Sequence, residues 1–198
     1  MRGGGDEKFM IPKTIIHLLS GGLDSVTMLY DLKQQGHSIH CALFNYGQPH
    51  SKELWLAEKH CKRLDVKFTT IDLPRLGGLT EESWIVPNRN AIMLHIAVNL
   101  AVQAKADTVT IGCNADDEAG FPDCRMAFLE AMNLTLKTAE VPVEVCAPYL
   151  DWPKWKVAGL SRELGVDMSE VWTCYLGGIE PCGECPACKK LELALAHD

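Results

Sequence analysis

TIIHLLSGGLDSVTMLYDL, residues Thr14 to Leu32, decides the fold. Its opening apolar run, Thr14 to Leu19, has the length of a buried strand. From Asp24 to about Gln35 the pattern turns helical, with Val26, Leu29, Tyr30 and Leu32 on an inner side and Gly36 as the stop. Between strand and helix lie Ser20, Gly21, Gly22, Leu23, Asp24 and Ser25. Two glycines beside hydroxyls let backbone N–H groups approach an anion, and a helix N-terminus adds partial positive charge. The residues alone allow a second reading, an ordinary strand-to-helix turn with Asp24 or Ser25 as N-cap. The loop has neither the lysine of a G-x-x-x-x-G-K-[ST] loop nor the spacing of a G-x-G-x-x-G fingerprint.

Working outward, SIHCALFN (38–45) and KFTTID (67–72) read as a second and third strand, with a helix from Ser51 between them. Ser51 is a suitable cap, and Leu54, Ala57, Cys61 and Leu64 follow at helical spacing. Pro74 to Pro87 is a long aperiodic loop containing Gly77 and Gly78. Arg89 opens the strongest helix, its expected inner face carrying Ile92, His95, Ile96, Asn99 and Leu100, with His95 as a core histidine. A fourth strand (108–112), an acidic loop (113–122), a helix (124–137), a fifth strand (143–147) and a helix from Lys154 to Leu164 complete the pattern. Such alternation predicts an α/β fold: a doubly wound, Rossmann-like parallel sheet of five strands. The loops at 20–25, 45–50 and 112–125 all follow strands and are expected on one edge, where ligands bind in such sheets.

A chain of 198 residues is expected to form one α/β domain (11–168), preceded by a leader (1–10) and followed by a small metal-binding segment (169–198) packed on it. No apolar run approaches the roughly 18 residues of a membrane span, and the expected location is the cytoplasm. A net charge of −7 has the wrong sign for wrapping a nucleic-acid backbone. Trp152, Trp155 and Trp172 are expected to pack rather than bind.

Four of the nine cysteines, Cys174, Cys182, Cys185 and Cys188, follow C-x7-C-x2-C-x2-C with glycine and proline between them. Four thiolates at tight spacing suit a closed tetrahedral zinc site, structural because no coordination position stays open. An iron–sulfur cluster is the competing occupant. Cys41, Cys61, Cys113, Cys124 and Cys146 read as small buried hydrophobes.

Ser20 to Ser25 resembles the S-G-G-x-D-S signature of the ATP pyrophosphatases, which cleave ATP between its α and β phosphates and adenylate a substrate oxygen. Further blocks narrow the likeness. They are Phe44 to Gln48 with His50 and Glu53; Val86 to Asn90; Gly112 through Asp117 to Gly120–Arg125; Pro148 with Lys154; and Cys174-Tyr175 leading into the cysteine run. Together they resemble the 7-cyano-7-deazaguanine synthase family. The sequence departs from the usual pattern at Pro49, Phe121, Met126 and Lys156.

The resemblance implies a ligase that adenylates 7-carboxy-7-deazaguanine, lets ammonia displace AMP, and repeats the activation on the amide to leave a nitrile. It implies ATP, Mg²⁺ and one structural Zn²⁺, small-molecule partners without nucleic acid or membrane, and a homodimer. The nucleotide set it implies is Leu18, Leu19, Ser20, Gly21, Gly22, Leu23, Asp24, Ser25, Val26, Thr27 and Met28, with Tyr46, His50 and Arg89. Asp24 is the candidate Mg²⁺ ligand. Ser20, Asp24, Ser25, Lys154 and Arg125 are the catalytic candidates, and Asp117, Phe121, Asp123 and Arg125 the substrate contacts. A carboxylate suits the N–H donors of a deazaguanine edge, although the residues alone also allow Asp123 to cap the next helix. Alternatives from the same residues are a variant that stops at the amide, a tRNA-thiolase-like enzyme, or a zinc-ribbon binding module without catalysis.

Overall fold

The structure, a computed structural model, describes residues 13–74, 76 and 85–197. The expected leader, Gly77 and Gly78 therefore lie outside the described residues. Five parallel strands form one sheet in the order β3-β2-β1-β4-β5: β1 Thr14–Leu18, β2 Ser38–Asn45, β3 Lys67–Asp72, β4 Thr108–Ile111 and β5 Glu144–Cys146. Strand order reverses at β1, which pairs with β2 on one side and β4 on the other. Leu18 aligns with Ala42 and with Ile111, so the loops leaving β1 and β4 emerge together at the switch point.

Alternation along the strands builds two cores. Ile16 and Leu18 of β1 face helices α3 (Arg89–Ala104) and α4 (Met126–Thr138), meeting Leu94, Ala97 and Leu129. Ile15 and Leu19 point the other way, to α1 (Leu23–Gln34), α2 (Lys52–Arg63) and α5 (Lys154–Glu163), meeting Leu29, Ala57 and Val157. The strand-and-helix expectation holds within a residue or two at each end.

Three local expectations change. The buried face of α3 is Asn90, Met93, Leu94, Ala97, Val98 and Ala101, one position round from the expected stripe. His95 is exposed and bonds the Ala91 carbonyl at 2.8 Å. Apolar residues run round most of this helix, Met93, Leu94 and Val98 as well as Ile92, Ile96 and Leu100, so hydropathy alone does not choose the buried face. The fully buried histidines among the described residues are His17 of β1 and His60 of α2 instead. A sixth helix, α6 (Pro186–Leu195), runs out of the cysteine cluster and packs Leu191, Ala194 and Leu195 into the α1/α5 core.

Candidate functional site

Neither Asp24 nor Ser25 caps α1. The N-cap is Gly22, without a side-chain bond, and Asp24 stands in the first turn. The hydroxyls wire the loop internally. Ser25 Oγ donates to the Gly22 carbonyl at 3.1 Å and accepts from the Ser20 N–H at 3.3 Å, and Ser20 Oγ lies 3.1 Å away. Ser20 Oγ also accepts from the Gly22 N–H at 3.2 Å. Both glycine contacts are obligatory here. Gly21 has φ +92°, and a Cβ on it would lie 2.4 Å from the Glu53 carbonyl oxygen; one on Gly112 would lie 2.8 Å from the Ser25 nitrogen.

His17 fixes this loop from below. Its Nε2 lies 2.9 Å from the Ser25 carbonyl, which can only accept, so Nδ1 must accept from the Thr110 hydroxyl at 2.9 Å. Burial holds its pKa down to about 4, so the ring is neutral and the tautomer set.

Above the loop opens a cavity of about 240 Å³ at the carboxyl edge of the sheet. Of the expected nucleotide residues, Leu18, Leu19, Ser20, Gly22, Leu23, Asp24 and Ser25 line it, joined by Tyr46, His50 and Arg89. Gly21 lies behind the lining, against α2, while Val26, Thr27 and Met28 are buried in the core side of α1. Asp117, Phe121 and Lys154 also line the cavity. Asp123 and Arg125 lie outside the lining. Arg125 is exposed and its Nε donates to the Glu118 carbonyl at 2.9 Å. Asp123 does not cap α4, whose N-cap is Arg125.

One side of the cavity is a buried charge network. Lys154 Nζ meets Asp24 Oδ2 at 2.8 Å. Asn114, fully buried, donates through Nδ2 to Asp24 Oδ1 at 3.0 Å and to Asp117 Oδ2 at 2.9 Å. Burial alone would lower the Lys154 pKa, but Asp24 and Asp117 outweigh it and the net shift is upward. Burial raises Asp117, against the pull of Lys154 and Lys190. Lys190, from α6, donates to the Asp116 carbonyl at 2.7 Å and stands 3.5 Å from Asp117 Oδ1.

On the opposite side Arg89 Nη1 donates to the Tyr46 hydroxyl at 3.2 Å, and Glu53 and His50 form the wall. Asn114, Lys190 and the wall position of Glu53 went unread in the sequence. Asn114 did leave a signal, an Asn three residues past the end of β4 and two residues before an Asp. Its Oδ1 accepts the Asp116 N–H at 2.9 Å, starting a one-turn 3-10 segment.

The four cysteine sulfurs converge. Cys174, Cys182, Cys185 and Cys188 place their Sγ atoms within 4.8 Å of one another, a candidate metal centre. Trp172 and Leu56 of α2 pack against it, and Trp172 Nε1 donates to the Cys174 carbonyl at 2.9 Å. The other five cysteines are all buried, as their sequence context suggests. Trp152 stacks on Tyr149 with centroids 4.8 Å apart; Trp155 stacks on His197.

The family described as "Queuosine biosynthesis protein QueC" matches residues 14–85 and 80–197. The chain belongs to the QueC family. It is 38% identical to the 7-cyano-7-deazaguanine synthase of Hahella chejuensis, over 90% of this chain and 87% of that one. It is also 38% identical to the enzyme of the same name from Archaeoglobus fulgidus, over 92% of this chain and 86% of that one. Among solved structures it is similar to the U34-tRNA thiolase NcsA of Methanococcus maripaludis with its [4Fe-4S] cluster. The TM-score is 0.60 at 18% identity, over 93% of this chain and 65% of that one. The NH3-dependent NAD synthetase of Campylobacter jejuni gives 0.55 at 15%, over 80% and 66%. Identities this low carry the fold alone. No helix among the described residues is long and apolar enough to cross a membrane.

Proposed function

We propose that this chain is an ATP-dependent carbon–nitrogen ligase that converts 7-carboxy-7-deazaguanine and ammonia to 7-cyano-7-deazaguanine in the cytoplasm. The observation that carries it is the placement of Asp24, Lys154, Asn114 and Asp117 around a glycine loop, at the switch point of a QueC-family sheet. The substrate carboxylate attacks the α phosphorus of ATP, pyrophosphate leaves, and ammonia displaces AMP from the acyl adenylate. A second ATP activates the amide oxygen, and loss of AMP and protons leaves the nitrile.

The backbone from Ser20 to Ser25 would hold the departing pyrophosphate, with Lys154 and Arg89 opposing its charge. Asp24, already facing a cation, suits an oxygen-ligated Mg²⁺ that would screen the phosphates. Phe121 offers the deazaguanine a stacking face from the cavity wall. Asp117 is a polar partner within the lining, and Asp123 and Arg125 would join it only if the 118–125 loop turned inward on binding. The net charge of −7 favours a small-molecule substrate over tRNA.

Segment 169–198 is read as a zinc-binding appendage of the 11–168 domain. Zinc–sulfur bonds of about 2.3 Å put tetrahedral thiolates a little under 4 Å apart, which the observed cluster meets with small adjustment. That spacing favours one ion over a cluster of several irons. The zinc would be structural, since four sulfurs leave no site for substrate.

Incubation with ATP, Mg²⁺, ammonium and 7-carboxy-7-deazaguanine should yield two AMP per nitrile. No substrate-dependent AMP sinks the ligase. One AMP with the amide as end product would make the chain an amide synthase.

A further inference from the structure

Glu53 stands in the first turn of α2, in the wall of the cavity, with its side chain 11% exposed. Its Oε1 accepts from Gln48 Nε2 at 3.2 Å. Its Oε2 has only the ring of His50, 3.6 Å away, within ion-pair reach among the described residues. Its backbone carbonyl is the atom against which Gly21 packs, so the residue is built onto the phosphate loop itself.

We propose that Glu53 is the proton acceptor that converts ammonium into the ammonia nucleophile at this site. This rests on the ligase reading above. Near neutral pH ammonia is stored as ammonium, which has no lone pair with which to attack an acyl adenylate. A base must take its first proton inside the cavity. Asp24 is bonded to Lys154 and Asn114, and Asp117 to Asn114 with Lys190 close by. Glu53 is the carboxylate of the lining with a free edge.

The chemistry balances. Ammonium gives one proton to a Glu53 carboxylate oxygen. The nitrogen lone pair then forms the C–N bond while the C–O bond to AMP breaks. The second proton leaves the adduct for water, and Glu53 returns its own to water before the next cycle. Burial pushes Glu53 up to about 8, opposed by the Gln48 bond and the Arg89 charge. Its proton affinity is thereby moved towards that of an amine, where transfer is close to balanced, and the ionised form that accepts the proton grows in population as pH rises towards 8. The groups facing it are His50 on the loop before α2, whose burial lowers its pKa, Tyr46 after β2, and Arg89 of α3.

The test compares Glu53→Gln with the unaltered chain using two nucleophiles. Hydroxylamine is largely unprotonated at neutral pH and traps an acyl adenylate as the hydroxamate without needing a base for its first proton. Glu53→Gln should lose at least about 100-fold in kcat with ammonium. It should keep substrate-dependent ATP–pyrophosphate exchange and hydroxamate formation within about threefold, and the rising, acid-side limb of the ammonium pH profile should move. Equal loss with both nucleophiles would overturn the proposal and leave Glu53 as a brace for the phosphate loop. Ammonium turnover within threefold of the unaltered chain would overturn it too. If the unaltered chain shows no substrate-dependent exchange, it is the ligase reading that fails.

Discussion

Lys154 and Glu53 face the same cavity from opposite sides, both nearly removed from water, and their surroundings resolve that burden in opposite ways. Lys154 is met by Asp24 at 2.8 Å, with Asp117 beyond it, and keeps its charge against burial. Glu53 has an amide and a half-distant imidazole, and burial prevails, raising its pKa to about 8. A buried charge survives where a partner approaches closely and further bonds satisfy it; otherwise the group neutralises. The cavity thus holds a fixed ionic side, suited to phosphates and a metal, beside a side that can take up and release a proton.

The sharpest way to break that contrast is Lys154→Met. Leaving Asp24 and Asp117 buried without their cation should cost about 3 kcal/mol of stability and at least about 100-fold in ATP–pyrophosphate exchange. Melting and exchange assays read the two effects separately. Asp24→Asn combined with Lys154→Met should recover most of the stability and none of the exchange. If the double variant is no more stable than Lys154→Met, the pair is not coupled as its geometry implies.

Glu53 and His17, the histidine beneath the loop, predict opposite pH dependences of stability. Glu53 is protonated more readily folded than unfolded, so its contribution is complete below about 4.5 and is lost as pH rises through about 8. Glu53→Gln should therefore stabilise the chain at pH 8, by up to about 4 kcal/mol, while impairing ammonium turnover. His17 runs the other way. Folded, it resists protonation down to about 4, so its contribution is complete above 6.5 and falls away between 6.5 and 4, by roughly 3 kcal/mol in all. Urea unfolding across pH 4–9 measures both slopes. An unchanged alkaline slope in Glu53→Gln would show that the carboxyl is not held neutral by the fold.

These two sides differ in how far the sequence revealed them. The glycine loop at the end of β1 is legible because glycines and hydroxyls in fixed order carry local chemistry, whereas Lys154 and Asp117, which share its cavity, are pointed to only by the family resemblance. The parallel sheet was legible because its strands and helices alternate in period and length. Asn114 and Glu53 were harder to place, since their meaning is a distance across the sheet edge. Asn114 matters because it reaches Asp24, 90 positions earlier, and Glu53 because its backbone abuts Gly21. The α3 face is ambiguous for a related reason: apolar residues lie on most sides of that helix, and only the position of the sheet selects Met93, Leu94, Ala97, Val98 and Ala101 for burial. The cysteine run, by contrast, states its own geometry, since spacing and ligand type suffice.

The cysteine cluster braces both sides, and removing the metal proposed for it should loosen both. The Tyr175 carbonyl next to Cys174 lies 3.1 Å from His50 Nδ1, beside Glu53. Two residues after Cys188, Lys190 reaches the Asp116–Asp117 loop. If the cluster holds the proposed zinc, a chelator should lower the melting temperature by at least about 5 °C, more than 1 kcal/mol for a chain of this size. Metal analysis should return one zinc per chain. Full metal loss with unchanged melting would refute a structural site.

Lys190→Met isolates the weaker of those braces. The ammonium is about one-third exposed, and its Asp117 contact is long at 3.5 Å, so the ion pair itself should contribute no more than about 1 kcal/mol. The 2.7 Å bond to the Asp116 carbonyl fixes the short segment that begins at Asn114. Asp116 Oδ2 in turn accepts the Lys154 backbone N–H at 2.9 Å, so the loop and the start of α5 move as a unit. Lys190→Met should thus raise the KM for ATP a few-fold and leave the ratio of hydroxamate to ammonium products unchanged, because Glu53 lies across the cavity. Lys190→Arg should restore most of the loss. A changed nucleophile ratio would mean that the ionic side and the proton-accepting side are mechanically joined through α6, and that the cavity works as one unit.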